Sequence, residues 1–269
     1  MVPRLAYVGQ MSEGVLLIGY GSDKPYNHDA LLSNADRLRA SGLNTYIAFI
    51  GAEEPTIRSA MKLMAEDGVN DVVVIPFMMS SGEMTFSYIP RQMGLDDDRY
   101  KDYAVKGTIV HYVRPVGEYP GIVDIIEKHV NSVTDIDNNT GIMLITHGSQ
   151  MKYNAQMAQR NADELTRRGY KNVFTAFLDH NEPSIGDCAR FMMGIGVKKI
   201  IAVPLIISTG SHVNCNIPRH LGIPENTNSG TSIMFGNEMD VYITGAIGVD
   251  DDFSDLLRDI VADARSRDD

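Results

Sequence analysis

The sequence predicts an α/β fold built from two parallel-sheet halves that are related by internal duplication. The segment GVLLIGYGSDKPYN, which begins at Gly14, matches GIMLITHGSQMKYN, which begins at Gly141, and further blocks repeat in the same order. Within each half, short runs of branched aliphatic residues alternate with segments of helical period. Apolar strands that alternate with helices are typical of a parallel sheet that is covered on both faces.

Four strands are predicted in each half, and each is a short apolar run bounded by turn residues. Strands that are buried on both faces are apolar throughout rather than alternating, and these runs have that pattern. Pro76 and Pro204 stand near the end of the third strand of each half, where the loss of a ladder hydrogen bond is tolerated. The predicted strands cover residues 15–19, 45–50, 71–77, 108–113, 142–146, 172–178, 199–206 and 241–245.

Two equivalent helices are predicted from apolar residues at helical spacing. The helix from about Asn154 has one apolar stripe and stops at Gly169, where a left-handed cap is favourable. Its partner in the first half covers residues 27–41. Pro55 and Pro183 are expected in the first turn of the following helices, because the N–H groups of that turn have no partner in any case.

The repeat predicts two domains within the 269 residues. The first, residues 1–133, lacks the histidines discussed below, and the second, residues 134–269, carries them. The boundary falls in residues 131–140, a polar stretch without apolar periodicity that suits a connection on the surface.

Composition predicts a cytoplasmic protein without a nucleic-acid partner. The 24 Lys and Arg residues are outnumbered by 35 Asp and Glu residues, which gives a net charge of −11. General binding to nucleic acid or to an anionic membrane is therefore disfavoured. The apolar runs fall far short of the roughly 20 residues that a membrane span requires, and the start of the chain lacks the pattern of a secretory signal.

Several cofactor and metal motifs are missing from the sequence. Neither a GxxxxGKS nor a GxGxxG motif follows any strand, so ATP and dinucleotides are not implied. Cys188 and Cys215 lie far apart and form no CxxC pair, which argues against a disulfide framework or a thiolate zinc site. Both cysteines are predicted to be buried.

Two histidines follow equivalent strand ends in the second half. His147 stands in the THGS segment after its first strand, and His212 stands in the STGSH segment after its third strand. Ligands of open α/β sheets bind in the crevice outside the carboxyl ends of the strands. Two imidazoles that face one space can bind a divalent ion or accept protons near neutral pH. His147 and His212 are therefore predicted to be catalytic and to bind a metal ion.

The loop after the second strand of this half offers a further ligand, and three residues compete for the role. Asp179 is the first candidate, and His180 is a possible third imidazole. Glu182 precedes Pro183 and is better explained as a helix-start residue that interacts with exposed amides. The remaining histidines, which have no matching cluster, are expected to be surface or structural residues: His28, His111, His129 and His220.

The first half serves as an internal control for this assignment. His147 corresponds to Tyr20, His212 to Met84 and Asp179 to Gly51, so the predicted ligands are absent from the first half while the framework around them is kept. The duplication therefore predicts one active centre rather than two. The first half is expected to form the opposite wall of a cleft, and its predicted substrate contacts are Tyr20, Glu83 and Met84.

Three segments together resemble the class II tetrapyrrole chelatases. They are ITHGSQ at 145–150, DHNEPS at 179–184 and VPLIISTGSHVNCNIP at 203–218. The likeness covers nearly the whole chain, once per half, and is greatest to sirohydrochlorin chelatases of the cobaltochelatase and archaeal nickelochelatase type. Short members of that family resemble one half and work as homodimers. The chain is therefore similar to a fused dimer, which implies flavodoxin-like halves and a monomer that acts as a pseudo-dimer.

The resemblance implies insertion of Co²⁺ or Ni²⁺ into sirohydrochlorin without ATP, in cobalamin or nickel-tetrapyrrole biosynthesis. It places the family's metal-binding histidines at His147 and His212 and its acidic ligand, usually glutamate, at Asp179. It implies no cofactor beyond the substrate metal. Local donors would bind the carboxylates of the substrate. These donors are Ser149, Thr209, Gly210, Ser211, Lys152 and Arg219.

Two other functions fit the same residues. A protoporphyrin ferrochelatase would require a more apolar wall for its substrate. A carrier that binds a metal or tetrapyrrole without catalysis is suggested by the loss of the ligands from one half.

Overall fold

The computed structural model describes residues 12–21, 25–95, 100–133, 135–234 and 237–266. It contains two five-stranded sheets, one in each half of the sequence repeat, and helices flank both. In the first half the strands are β1 (Glu13–Tyr20), β2 (Thr45–Ile50), β3 (Asp71–Pro76), β4 (Asp102–Val105) and β5 (Thr108–Tyr112). The helices of this half are α1 (Pro25–Ala40), α2 (Ile57–Glu66), α3 (Ile89–Met93) and α4 (Ile122–Asn131).

The second half repeats these elements in the same order. Its strands are β6 (Thr140–Thr146), β7 (Val173–Phe177), β8 (Lys199–Pro204), β9 (Ser229–Met234) and β10 (Asn237–Ile243). Its helices are α5 (Lys152–Arg167), α6 (Ile185–Gly194), α7 (Ile217–His220) and α8 (Asp252–Ser266). Among the helices described, none is both long enough and apolar enough to span a bilayer.

The strand order is β2-β1-β3-β5-β4 in the first sheet and β7-β6-β8-β10-β9 in the second. The predicted duplicated α/β fold is therefore confirmed, and Pro76 and Pro204 do end their strands. Each sheet also has an antiparallel edge strand, β4 or β9, that the sequence did not predict. Both lie at the edge of their sheet and lack a long apolar run, because their side chains are less buried than those of the central strands.

Pro55 and Pro183 were expected in the first turn of a helix, and this prediction was wrong. Helix α2 begins at Ile57 and α6 at Ile185, two residues after each proline. The peptide bonds before both prolines are cis. The residue that precedes each helix is a hydroxyl residue whose side chain accepts a hydrogen bond from the first turn, as is usual at this position: Thr56 in one half and Ser184 in the other.

The described residues divide into two compact units, and neither unit coincides with one half of the repeat. The first unit comprises the residues up to Tyr119 together with those from Asp251 onward, and the second unit runs from Pro120 to Asp250. Helix α4 contacts α5 and β8 of the second unit, whereas α8 contacts α1 and β3 of the first. The predicted division between residues 133 and 134 follows the sequence repeat. The contacts follow another division, because the last helix of each sequence half packs against the other sheet: α4 contacts β8, and α8 contacts β3.

A buried histidine, His111 of β5, lies between two carboxylates in the first unit. Its Nδ1 lies 2.8 Å from Asp102 Oδ1, and its Nε2 lies 3.3 Å from Asp71 Oδ1. Burial is the largest influence and lowers the pKa of His111, but the hydrogen bonds and charges of Asp71 and Asp102 together raise that pKa above the usual value. This geometry supports the structural role that the sequence predicted.

The stability of the first unit is expected to decrease as the pH rises through the folded-state pKa of His111. A group whose pKa is raised by folding contributes stability that is fully present below its unfolded pKa, about 6.5 for histidine, and is lost above its folded pKa. Unfolding in urea should be measured across this range. The Asp102→Asn variant should flatten the pH dependence, whereas Asp259→Asn, at an exposed position of α8, should not. An equal pH dependence in wild type and Asp102→Asn would contradict the assignment.

Candidate active site

Two histidines meet at the carboxyl edge of the second sheet. His147 follows β6 directly, and His212 follows the loop after β8, the neighbouring strand. Their ring centres lie 5.1 Å apart, and the rings are nearly perpendicular. Because both residues belong to the second unit, their proximity follows from the register of two adjacent parallel strands. The site therefore contains the imidazole pair that the strand ends predicted.

The loop that carries His147 depends on a glycine and a buried asparagine. Gly148 has a φ of +90°, and a Cβ atom built there would lie 1.8 Å from the carbonyl oxygen of Asp179. Only glycine fits this conformation and this close approach. Asn154, in the first turn of α5, accepts hydrogen bonds through Oδ1 from Thr146 Oγ1 at 3.0 Å and from the Gly148 N–H at 3.1 Å. These contacts fix the chain on both sides of His147.

The loop after β7 holds the same segment from the other side. The Asp179 N–H donates to the His147 carbonyl at 2.9 Å, and the Asn181 Oδ1 accepts from the Ser149 N–H at 2.7 Å. The loop that contains His147 is thus hydrogen-bonded to the neighbouring strand-end loop. These bonds fix the backbone from which the His147 imidazole projects.

His212 is the first residue of a π-helical turn, residues His212–Asn216, which precedes α7. The Ile217 N–H donates to the His212 carbonyl, five residues back. Pro218 has no N–H to offer, and the Asn214 carbonyl, four residues before it, instead accepts from the Asn226 N–H at 2.6 Å. Single π turns are frequent at functional sites, and this one is repeated in the first half at Met84–Tyr88.

The surroundings of His212 favour the neutral form of its ring. Burial lowers the pKa of His212, and the nearby charge of His147 lowers it further. Asn216 Nδ2 lies 3.1 Å from His212 Nδ1, so that Nδ1 accepts a hydrogen bond from the amide in the neutral ring. His212 is therefore suited to ligate a metal near neutral pH.

The distance between the rings of His147 and His212 matches that of two ligands of one ion. Imidazole nitrogens that bind at about 2.1 Å, with a tetrahedral angle between them, place their ring centres about 5 Å apart. The ring of His180 lies 6.4 Å from that of His147, which is too far for an adjacent ligand. Among the described residues, no group of three or more His, Cys, Asp and Glu side chains is arranged to hold a metal ion.

The three candidates for a further ligand have different surroundings. The Asp179 carboxylate is exposed, and its Oδ1 accepts from the His180 N–H at 2.8 Å. His180 has a φ of +59°, and its Nε2 lies 3.5 Å from Asp179 Oδ2. Glu182 accepts from the Ser184 N–H at 2.9 Å, directly before α6, which supports its predicted role at the helix start.

The predicted contacts for the substrate lie in both units. In the second unit, the Ser149 hydroxyl accepts from the Met151 N–H, Ser211 precedes the π turn and is exposed, and Thr209 and Gly210 are half-buried. Lys152 is the first residue of α5, and Arg219 pairs with Glu225. In the first unit, Tyr20 ends β1 and is 50% exposed, Glu83 is exposed, and Met84 is half-buried against the core.

Sequence reasoning missed the asparagines that hold the site. The repeat could have indicated Asn154, because this residue ends the block KYN, which matches the block PYN that ends at Asn27 in the first half. No sequence pattern indicated Asn181 or Asn216. The hydrogen bond of Asn181 joins two separate loops, and that of Asn216 depends on the π turn. Cys188 is buried as predicted, whereas Cys215, within the π turn, is only half-buried.

Comparison with known proteins gives one family and several relatives. The family model described as CbiX matches residues 14–133 and again residues 141–264. The chain is 27% identical to a probable sirohydrochlorin cobaltochelatase of Halobacterium salinarum, over 94% of this chain and 91% of that protein. It is 34% identical to the sirohydrochlorin cobaltochelatase of Methanosarcina barkeri, over 44% of this chain and 90% of that protein.

The fold also matches a solved structure of SirB from Bacillus subtilis with Fe³⁺. The TM-score is 0.73, and the match covers 94% of this chain and 96% of that one. Because the sequences are 17% identical, this likeness establishes the fold alone. It agrees with the duplicated architecture described above.

Proposed function

Because the chain belongs to the CbiX family, whose model matches both of its halves, we propose that it is a chelatase that inserts a divalent metal ion, Co²⁺ or Ni²⁺, into sirohydrochlorin without ATP. The observation that carries the proposal is the imidazole pair of His147 and His212, whose ring centres are 5.1 Å apart at the carboxyl edge of one sheet. The names of the relatives from Halobacterium salinarum and Methanosarcina barkeri support sirohydrochlorin as the tetrapyrrole.

A pair of ligands suits an ion that must be passed on. A closed set of four protein ligands holds a metal permanently, whereas a site with open positions admits substrate. His147 and His212 bind the ion through neutral nitrogens, and the pyrrolic nitrogens of the substrate then replace them as ligands. The substrate metal leaves with the product.

The same two side chains take part in the proton transfer. Each insertion exchanges two pyrrolic N–H protons for one divalent ion, so two bases are required. As the ion leaves an imidazole for the macrocycle, the nitrogen that it vacates becomes free to accept a proton. Burial and the charge of His147 lower the pKa of His212, which favours the unprotonated form of this base at the start of the reaction.

Asp179 is proposed as a third ligand of the substrate metal, and its exposed carboxylate can reach toward an ion without breaking a buried contact. Ser149, Thr209, Gly210 and Ser211 are proposed to donate hydrogen bonds to the carboxylates of the substrate. In the first unit, Tyr20, Glu83 and Met84 remain predicted substrate contacts, and this prediction rests on the sequence repeat.

A metal and substrate competition assay tests the proposed function. Purified protein should be offered Co²⁺, Ni²⁺ and Fe²⁺ with sirohydrochlorin, and Fe²⁺ with protoporphyrin, while insertion is followed by absorbance. We expect insertion of Co²⁺ or Ni²⁺ into sirohydrochlorin, and imidazole ligands alone do not choose between these two ions. Efficient insertion of Fe²⁺ into protoporphyrin, with none into sirohydrochlorin, would contradict the proposal.

A further inference from the structure

We infer that Asp179 and His180 form a second, outer binding site for the divalent metal ion, which captures the ion from solvent and passes it to His147 and His212. The inference rests on the proposed chelatase function for its purpose, but the binding site itself can be tested without a tetrapyrrole. Of the three candidates for a further ligand, His180 has no role in the inner site, and its contact with Asp179 indicates this outer one.

The first step of the argument is the distance between the two side chains. Asp179 Oδ2 lies 3.5 Å from His180 Nε2. Two ligands that bind one ion at about 2.1 Å with a tetrahedral angle between them are separated by about 3.4 Å. A carboxylate oxygen and an imidazole nitrogen are common ligands for divalent first-row ions. The two side chains are therefore already spaced as adjacent ligands.

The second step is the preorganisation of the pair. The Asp179 Oδ1 accepts from the His180 N–H at 2.8 Å, which directs Oδ2 toward the imidazole. The backbone of Asp179 is held by two hydrogen bonds, because its N–H donates to the His147 carbonyl and its carbonyl accepts from the Asn181 N–H at 2.7 Å. His180 itself has a φ of +59°, a conformation that is uncommon for a residue other than glycine.

The third step is the position of the pair between solvent and the inner histidines. The side chains of Asp179 and His180 are 64% and 41% exposed, so that a hydrated ion can reach them. The His180 ring lies 6.4 Å from the His147 ring, and the His147 ring lies 5.1 Å from that of His212. The first separation is too long for adjacent ligands of one ion, whereas the second is suitable. The side chain that lies next to the His180 imidazole is instead that of Asp179.

Transfer between the pairs requires the exposed Asp179 carboxylate to move toward the inner pair, because among the described residues no three of these side chains are arranged to hold one ion. In this transfer the Asp179 carboxylate keeps the ion while His147 replaces His180, and His212 then completes the inner set. An outer site with two protein ligands and water in its other positions binds weakly, which permits release inward. The net charge of −11 also raises the local concentration of divalent cations and favours capture.

Binding of Co²⁺ alone tests the site directly. In the His147→Ala/His212→Ala double variant, the inner pair is absent, and titration followed by the visible absorption of Co²⁺ should reveal one weak site. Adding His180→Asn should weaken this remaining binding at least about tenfold. Asparagine tolerates a positive φ, so that the variant removes the imidazole without straining the backbone. The matched control is His220→Asn, at an exposed histidine of the same unit, which should leave the weak site unchanged.

Two results would overturn the outer site. One is the absence of any Co²⁺ binding in the double variant, and the other is residual binding that His180→Asn and His220→Asn affect equally. Insertion kinetics provide the second readout: in the otherwise native chain, His180→Asn should raise the Co²⁺ concentration for half-maximal rate about tenfold. If wild type inserts metal and His180→Asn needs the same Co²⁺ concentration for half-maximal rate, the outer site is wrong and the proposed function stands. If weak Co²⁺ binding depends on His180 but no tetrapyrrole is metallated, the proposed function is wrong and the outer site stands.

Discussion

Replacing either His147 or His212 with alanine is expected to reduce metal insertion at least about a hundredfold, the usual contribution of a group that transfers a proton in a reaction. Each change removes one of two metal ligands and one of two bases. The double variant should be hardly slower than either single variant, because the two side chains act as a unit. Initial rates of sirohydrochlorin metallation, measured at saturating Co²⁺, provide the comparison.

Two controls make this result specific to the imidazole pair. His220→Ala, at an exposed position of the same unit, should retain the wild-type rate. Tyr20→Phe removes a hydroxyl at the position that matches His147 in the repeat and should reduce the rate by about two- to tenfold, the range of one ordinary hydrogen bond. Equal losses for Tyr20→Phe and for the two histidine variants would contradict a single centre in the second half.

Replacing Phe253 of α8 with alanine is expected to destabilise the first unit by about 3–5 kcal/mol, the usual cost of removing a buried aromatic ring. Phe253 is fully buried, and its ring lies 5.5 Å from that of Phe77, edge to face. By sequence, Phe253 belongs to the second half of the repeat. By its contacts, it belongs to the first unit. Hydrogen exchange resolved by peptide should therefore show faster exchange in β1 and β3.

The reciprocal variant is the matched control for the helix exchange. Ile126 of α4 is fully buried in the second unit, although it lies in the first half of the sequence. Ile126→Ala should accelerate exchange in β6 and β8 and cost about 2–5 kcal/mol. If each substitution instead destabilised the sheet of its own sequence half, the assignment of α4 and α8 to exchanged units would be wrong.

The central strands could be predicted from the sequence because burial on both faces leaves a continuous apolar run. β1, β3, β6 and β8 all have this pattern. The edge strand β9 could not, because four of its six residues, SGTS at 229–232, are small or polar and Ile233 is 73% exposed. The sequence also did not predict which sheet α4 and α8 cover, because the apolar stripe of a helix is the same whichever sheet it packs against.

The part of the site that depends on strand order could be predicted from the sequence. His147 and His212 follow adjacent parallel strands, so their proximity follows from the strand order. The finer geometry depends on contacts between loops that are distant in sequence. The approach of the Asp179 carbonyl to Gly148 and the pairing of Asp179 with His180 are such contacts. The same holds for the π turn at His212, for which Pro218 was the only local signal.

The central claim is that the imidazole pair of the second half makes this chain an enzyme rather than a carrier, and multiple-turnover metallation tests it most directly. A small amount of protein should be mixed with excess sirohydrochlorin and Co²⁺, without ATP, and the product counted by absorbance against a protein-free reaction. We expect product to exceed the protein many times over in wild type and to fall to the protein-free rate in His147→Ala. Product that stops at one equivalent of the protein would contradict the account.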